Sequence, residues 1–197
     1  NLSSKYNFKE FNKIVENFSS LKVLLVGDLI FDKYSTVDVQ GLTSKNRILS
    51  SRFLNESTQT GGVLAIFRHL REFTPNVKLL SLAGQESWLS LHLEQYLSNN
   101  EDWMFHDPKF TTIVKQRYVE PLDDGKELSK LFSINYLDAE MPSPKTQESI
   151  LIKVAQHIKD FDLVLVADFG HGIMTEDLRQ LIQEKAHFLA LNCQTNS

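Results

Sequence analysis

KVLLVGDLIFDKY, Lys22 to Tyr34, is the stretch whose reading decides the fold. Val23 to Val26 is a short apolar run that stops at Gly27, with Asp28 next and Asp32 four residues on. An apolar run ended by glycine is how a buried strand of a parallel sheet delivers polar groups to the carboxyl edge, where open α/β folds bind ligands. Two carboxylates at such an edge suit a hydroxyl-bearing or cationic ligand. For Asp28 alone, a strand that ends in a solvated turn is an equal reading.

The rest of the chain extends this picture. Phe8, Phe11, Ile14, Val15 and Phe18 recur at helical spacing, which predicts an amphipathic amino-terminal helix whose aromatic stripe packs into the core. Tyr34, Val37, Val39, Ile48 and Phe53 sit in polar, partly alternating segments that read as strands of a half-buried sheet. Leu64, Phe67 and Leu70 give a helix opened by Gly61-Gly62 and stopped by Pro75. Lys78 to Leu82 is a second core strand ended by Gly84, and Ser87 is the expected cap of a helix carrying Trp88, Leu91 and Tyr96. Thr111 to Glu120 and Leu128 to Asn135 flank LDDGKE, a hairpin signal at Asp124-Gly125. Ser143 and Pro144 open a helix holding Ile150, Leu151, Val154 and Ile158. Leu163 to Ala167 is a third core strand leading into Asp168-Phe169-Gly170-His171-Gly172. Thr175 caps the next helix, and His187 to Leu191 is the last strand.

Composition bounds the function. The 197 residues carry a net charge of -4, with scattered lysines and arginines, so a nucleic-acid module is not the expectation. The single cysteine, Cys193, excludes an internal disulfide framework and has no visible base beside it. No apolar run approaches a membrane span, and the polar start NLSSKYNFKEF has no signal-peptide core, so a cytoplasmic protein is expected. The first strand ends in VGD, not GxGxxG, which sets aside a dinucleotide-binding enzyme.

Three core strands thus end in polar, glycine-marked turns: Gly27-Asp28, Gly84-Gln85 and Asp168 to Gly172. A doubly wound sheet gathers such turns on one edge. Any one of them alone is what an α/β protein needs anyway; the ordered set, with two β-rich excursions interrupting the βα rhythm, is more specific.

GDLIFDKY, STQTGGVLAIFRHL, TTIVKQRY and VLVADFGHG, in that order, resemble the ribokinase-like sugar kinases of the phosphofructokinase-B family. Within that family the resemblance is to the kinase domain of ADP-heptose synthase-type enzymes, from about Lys22 onward and over the amino-terminal portion only. It implies an α/β fold, a doubly wound mostly parallel sheet with a small β lid, truncated before the ATP-binding half. The organisation expected is an amino-terminal helix over 1–20 and a partial sugar-kinase domain over 21–197, with the lid from 35–55 and 111–136. The implied activity is phosphoryl transfer from ATP to a sugar or sugar phosphate, with a heptose derivative as the substrate the resemblance points to. ATP and Mg²⁺ are implied for a longer parent, with neither bound tightly by this chain. A homodimer through the lid is implied as well, and neither a nucleic acid nor a membrane is among the expected partners.

By the same resemblance, Asp28 and Asp32 would accept hydrogen bonds from sugar hydroxyls, and Gly61 and Gly62 would form the close-approach turn of the sugar site. Lys115 and Arg117 would meet a substrate phosphate, the alternative being a solvated strand face. Asp168 would help organise the phosphoryl-transfer region, the alternative being a turn carboxylate. His171 stands where the heptose kinases often carry lysine, and a turn residue is the plainer reading of it. Ala65 stands where relatives commonly have asparagine. The family's GxGD motif, which carries the catalytic base, does not occur in the sequence, so no catalytic residue is assigned and the chain by itself is expected to be inactive. A non-catalytic sugar-binding or dimerisation module is the competing reading.

Overall fold

The computed structural model describes residues 7–94, 97, 103–122, 127–137 and 141–194. Helix α1 (Phe8–Asn17) is followed by a short 3-10 turn and by β1 (Val23–Gly27). The chain then makes a long antiparallel pair, β2 (Leu29–Leu42) and β3 (Leu49–Gly61), before α2 (Gly62–Leu70) and β4 (Val77–Ala83). After α3 (Leu89–Leu93) and β5 (Trp103–His106) come β6 (Ile113–Pro121) and β7 (Leu128–Tyr136). The chain continues through α4 (Pro144–His157), β8 (Leu163–Asp168), α5 (Glu176–Lys185) and β9 (Leu189–Cys193).

Five strands form one sheet in the order β5-β4-β1-β8-β9, and every pair in it is parallel. All five residues of β1 are buried, as a strand covered on both faces requires. Its alternation divides the core in two. Leu24 and Val26 pack with Ile150 and Val154 of α4 and Leu178 and Ile182 of α5. Val23 and Leu25 pack with Val63, Leu64 and Phe67 of α2 and with Leu89 and Leu93 of α3. The crossover after β1 therefore lies on one face and the crossover after β8 on the other. This makes the carboxyl ends of β1 and β8 the switch point at which open sheets form a crevice. Gly27 is in register with Ala167 there.

The other sheet, β3-β2-β6-β7, corresponds to the expected lid, although its first two strands, Leu29–Leu42 and Leu49–Gly61, extend beyond the 35–55 anticipated from sequence. β2 starts at Leu29 because Leu29, Ile30 and Phe31 are buried against the main domain, so Asp32 stands inside a strand and not in a loop after one.

Some expectations need correction. α1 forms, with Asn7 and Glu10 in a reciprocal capping box, but none of its residues is buried and Phe8 is 79% exposed. Both faces of the sheet already carry two helices, and the aromatic stripe finds no place in the core. Ser87 does not cap a helix: Leu89 N–H bonds back to Glu86 O, and α3 starts only after Trp88. Tyr96 and the Asp124-Gly125 turn lie outside the described residues. Ser143 and Thr175 cap α4 and α5 as read, accepting from Thr146 N and Leu178 N.

Candidate functional site

Asp28 leaves the end of β1 and is 2% exposed. Its Oδ2 accepts from Phe169 N at 2.8 Å and from His171 N at 3.4 Å, both in the loop after β8. Its carbonyl accepts from Val63 N at 3.0 Å in the first turn of α2. One residue therefore ties the three walls of the crevice together. Burial pushes the Asp28 carboxyl up to about 6, against the lowering effect of the Phe169 and His171 amides and with the Asp168 charge adding to the rise.

Strand alternation places Ile30, Asp32 and Tyr34 on one side of the lid. The parallel register with β6 sets Asp32 against Lys115 and Tyr34 against Arg117, so all four polar side chains share that face. Asp32 Oδ1 and Arg117 Nη1 form a tight ion pair, each side chain 26% exposed. The guanidinium lies over the Tyr34 ring, 5.4 Å from its centroid. A Cβ on Gly61 would collide with Asp32 Oδ2, so this glycine makes room for the carboxylate. Gly62 has φ 52°, and a Cβ there would press on Asp28 O. Gly62 is thus required by its backbone conformation and the Asp28 carbonyl, while Gly61 leaves the space that the Asp32 carboxylate occupies.

His171 joins the clusters. Its main chain bonds to Asp28, while Lys115 lies near enough for its charge to add to burial in holding the imidazole below its ordinary value, Asp168 opposing. His171 Nε2 is buried without a hydrogen-bond partner among the described residues. Asp168 turns Oδ1 onto Gly170 N at 2.9 Å, closing its own loop. The eight residues singled out in the sequence therefore fall into two groups, Asp28, Gly62, Asp168 and His171 at the crevice and Asp32, Gly61, Lys115 and Arg117 on or against one lid face, with the Lys115 charge reaching His171. Among the described residues no group of three or more His, Cys, Asp or Glu side chains could hold a metal ion.

The opposite face of the lid carries side chains that the sequence reading did not single out. Lys33 Nζ pairs with Glu56 Oε1 at 2.8 Å, Ser35 Oγ bonds to Glu56 Oε2 at 3.0 Å, and Gln116 Nε2 bonds to Ser35 Oγ at 2.7 Å. A cavity of about 480 Å³ opens on this side, bounded also by Trp88 and His92. The available signal was the odd-numbered set of β2: Phe31, Lys33, Ser35 and Val37 alternate with Asp32 and Tyr34.

No family model matches the chain. Bifunctional protein HldE of Syntrophotalea carbinolica is 27% identical over 176 residues, covering 85% of this chain and 34% of that protein. The structure of Escherichia coli phosphofructokinase-2 in complex with fructose-6-phosphate superposes with a TM-score of 0.59 at 11% identity, covering 89% of this chain and 56% of that one. The ribokinase of Thermotoga maritima gives 0.52 at 12% identity, covering 87% and 52%. The chain is similar in sequence to HldE proteins and shares the fold of ribokinase-like, phosphofructokinase-B sugar kinases. It corresponds to an amino-terminal portion, spanning about a third of the length of the curated relatives it matches and about half of the solved structures. The ribokinase-like architecture accounts for the split seen here, a doubly wound parallel sheet with a separate β lid at its carboxyl edge.

Proposed function

We propose that this chain is the sugar-binding part of an ATP-dependent carbohydrate kinase whose parent acts on a heptose or heptose phosphate. The observation that carries the reading is the Asp32–Arg117 ion pair, held beside Lys115 on one lid face and facing the Asp28–His171 crevice. Arg117 donates from Nη1 to Asp32 and, at 3.4 Å, to the Lys115 carbonyl, and of its five N–H donors keeps others for a bidentate contact with phosphate. Lys115 adds a second positive charge. Asp32 retains acceptor positions for sugar hydroxyls, with Gly61 and Gly62 admitting the ring close to the backbone. Asp28, through the amides of Phe169 and His171, positions the loop from Asp168 to His171 next to the transferred group.

ATP and Mg²⁺ belong to the proposed parent, and the residues of this chain bind and orient the acceptor sugar. A cytoplasmic location is part of the proposal; no helix among the described residues is long and apolar enough to cross a membrane. A homodimer through the lid is also part of it. Its support is the exposure of Leu42, Phe53, Leu54, Leu128, Phe132 and Ile134, all on lid strands. The competing reading, a non-catalytic sugar-binding or dimerisation module, is favoured by Ala65 and His171, which depart from the family pattern.

Calorimetric titration with a heptose phosphate and with the unphosphorylated heptose tests the assignment. Arg117→Gln should weaken the phosphate ester by tenfold or more, as expected for about 1.5–3 kcal/mol in a charge-assisted contact, and change the free sugar little. Equal losses for both ligands, or none, would contradict the role given to Arg117.

A further inference from the structure

The cavity on the other face of the lid belongs to a different chemistry. Phe31, Trp88 and His92 meet there with centroids 5.2, 5.9 and 5.5 Å apart and planes 83°, 79° and 85° to one another, so three rings form a corner. His92 donates Nδ1–H to Trp88 O at 3.0 Å, a carbonyl being able only to accept, which fixes the ring in place. Along the lid wall the polar groups satisfy one another, from Tyr136 OH through Gln116, Ser35 and Glu56 to Lys33. Lys33, the one lysine on the wall among the described residues, is thereby neutralised by Glu56.

Glu86 is the remaining charge. Its Oε1 accepts from Thr112 N at 2.8 Å and its Oε2 from Thr112 Oγ1 at 2.6 Å, so the carboxylate is fixed in direction. Each oxygen keeps a further acceptor position. No cation pairs with Glu86 among the described residues. A half-buried, oriented carboxylate beside three aromatic rings is the environment in which a desolvated cation gains both charge pairing and attraction to ring faces. The surplus negative charge disfavours an anion such as the sugar phosphate assigned to the other face.

We propose that this cavity, between the lid and α3, binds a small organic cation: an ammonium group carried on an aromatic or aliphatic stem. The ammonium pairs with Glu86, and the stem lies against Trp88 and Phe31. The site is separate from the proposed sugar face and does not depend on it.

Benzylammonium and its neutral counterpart benzyl alcohol are suitable probes, titrated into the 197-residue chain. Fluorescence of Trp88 in a Trp103→Phe background gives a local signal, with calorimetry beside it. Benzylammonium should bind saturably and roughly tenfold or more tightly than benzyl alcohol. Glu86→Gln should bring it down to the level of the alcohol while leaving heptose phosphate titration unchanged. Added salt should weaken the ammonium alone, which tests the same charge in the unsubstituted protein. Absence of saturable binding, equal binding of the two probes, or indifference to both salt and Glu86→Gln would overturn the proposal.

Discussion

At the scale of single residues, Asp28 is a carboxylate buried for the sake of the crevice. Its folded value of about 6 lies above the ordinary 3.8. Below about pH 4 both folded and unfolded chains hold the proton. Between about pH 4 and pH 6 the unfolded chain releases it first, so the folded state binds more protons and loses stability as pH rises. Above that window the penalty is constant, on the order of 3 kcal/mol. Asp28→Asn keeps an acceptor for Phe169 N and removes the titration. Denaturant unfolding of the variant should therefore show a flatter pH dependence from about pH 4 to pH 6 than the unsubstituted chain. Matching slopes would mean that Asp28 carries no buried charge. The pairing of Asp32 with Arg117 could not be read from sequence, because it depends on the register between β2 and β6, two strands 85 residues apart at the contact. The types of both residues were legible; their mutual engagement was not.

At the scale of elements, legibility followed burial and capping. β1 and β8 were plain because buried parallel strands read as unbroken apolar runs. The starts of α4 and α5 were plain because Ser143-Pro144 and Thr175 are local signals. β5 gave no such signal: it is four residues long, at the edge of the sheet, with no fully buried position. The periodicity of α1 identified the helix correctly but could not show what covers it, since an amphipathic pattern is the same whether or not a partner face exists. This contrast gives a pair of expected outcomes. Ser143→Ala removes the acceptor at the start of α4 and should cost about 1 kcal/mol. Phe11→Ser, on the exposed stripe of α1, should change stability by less than about 0.5 kcal/mol. Chemical denaturation measures both, and a large loss for Phe11→Ser would show that α1 packs on something after all.

At the scale of the whole molecule, two sheets divide the work. The parallel sheet places the ends of β1 and β8 together, and the lid presents Lys115 and Arg117 on the face that carries Asp32, with the Lys115 charge reaching His171. The doubly wound architecture was legible from the repeated strand-glycine-helix order. The two-faced character of the lid was not, because it emerges only when alternation in β2 and β6 is combined with their register. The exposed apolar side chains of the lid bear on assembly. If they are the dimer interface, Phe132→Ser should shift sedimentation velocity profiles from dimer toward monomer without lowering the unfolding midpoint by more than a surface substitution does. A monomeric unsubstituted chain would remove the lid from that role.

The most direct test of the sugar-binding account is amide chemical-shift mapping on the isotope-labelled chain during titration with a heptose phosphate. The account predicts saturable shifts at Gly61, Gly62, Lys115, Arg117 and His171, with Lys33, Glu56 and Trp88 on the opposite side unmoved. Shifts confined to the Trp88 side, or none at concentrations that saturate a sugar kinase, would contradict it.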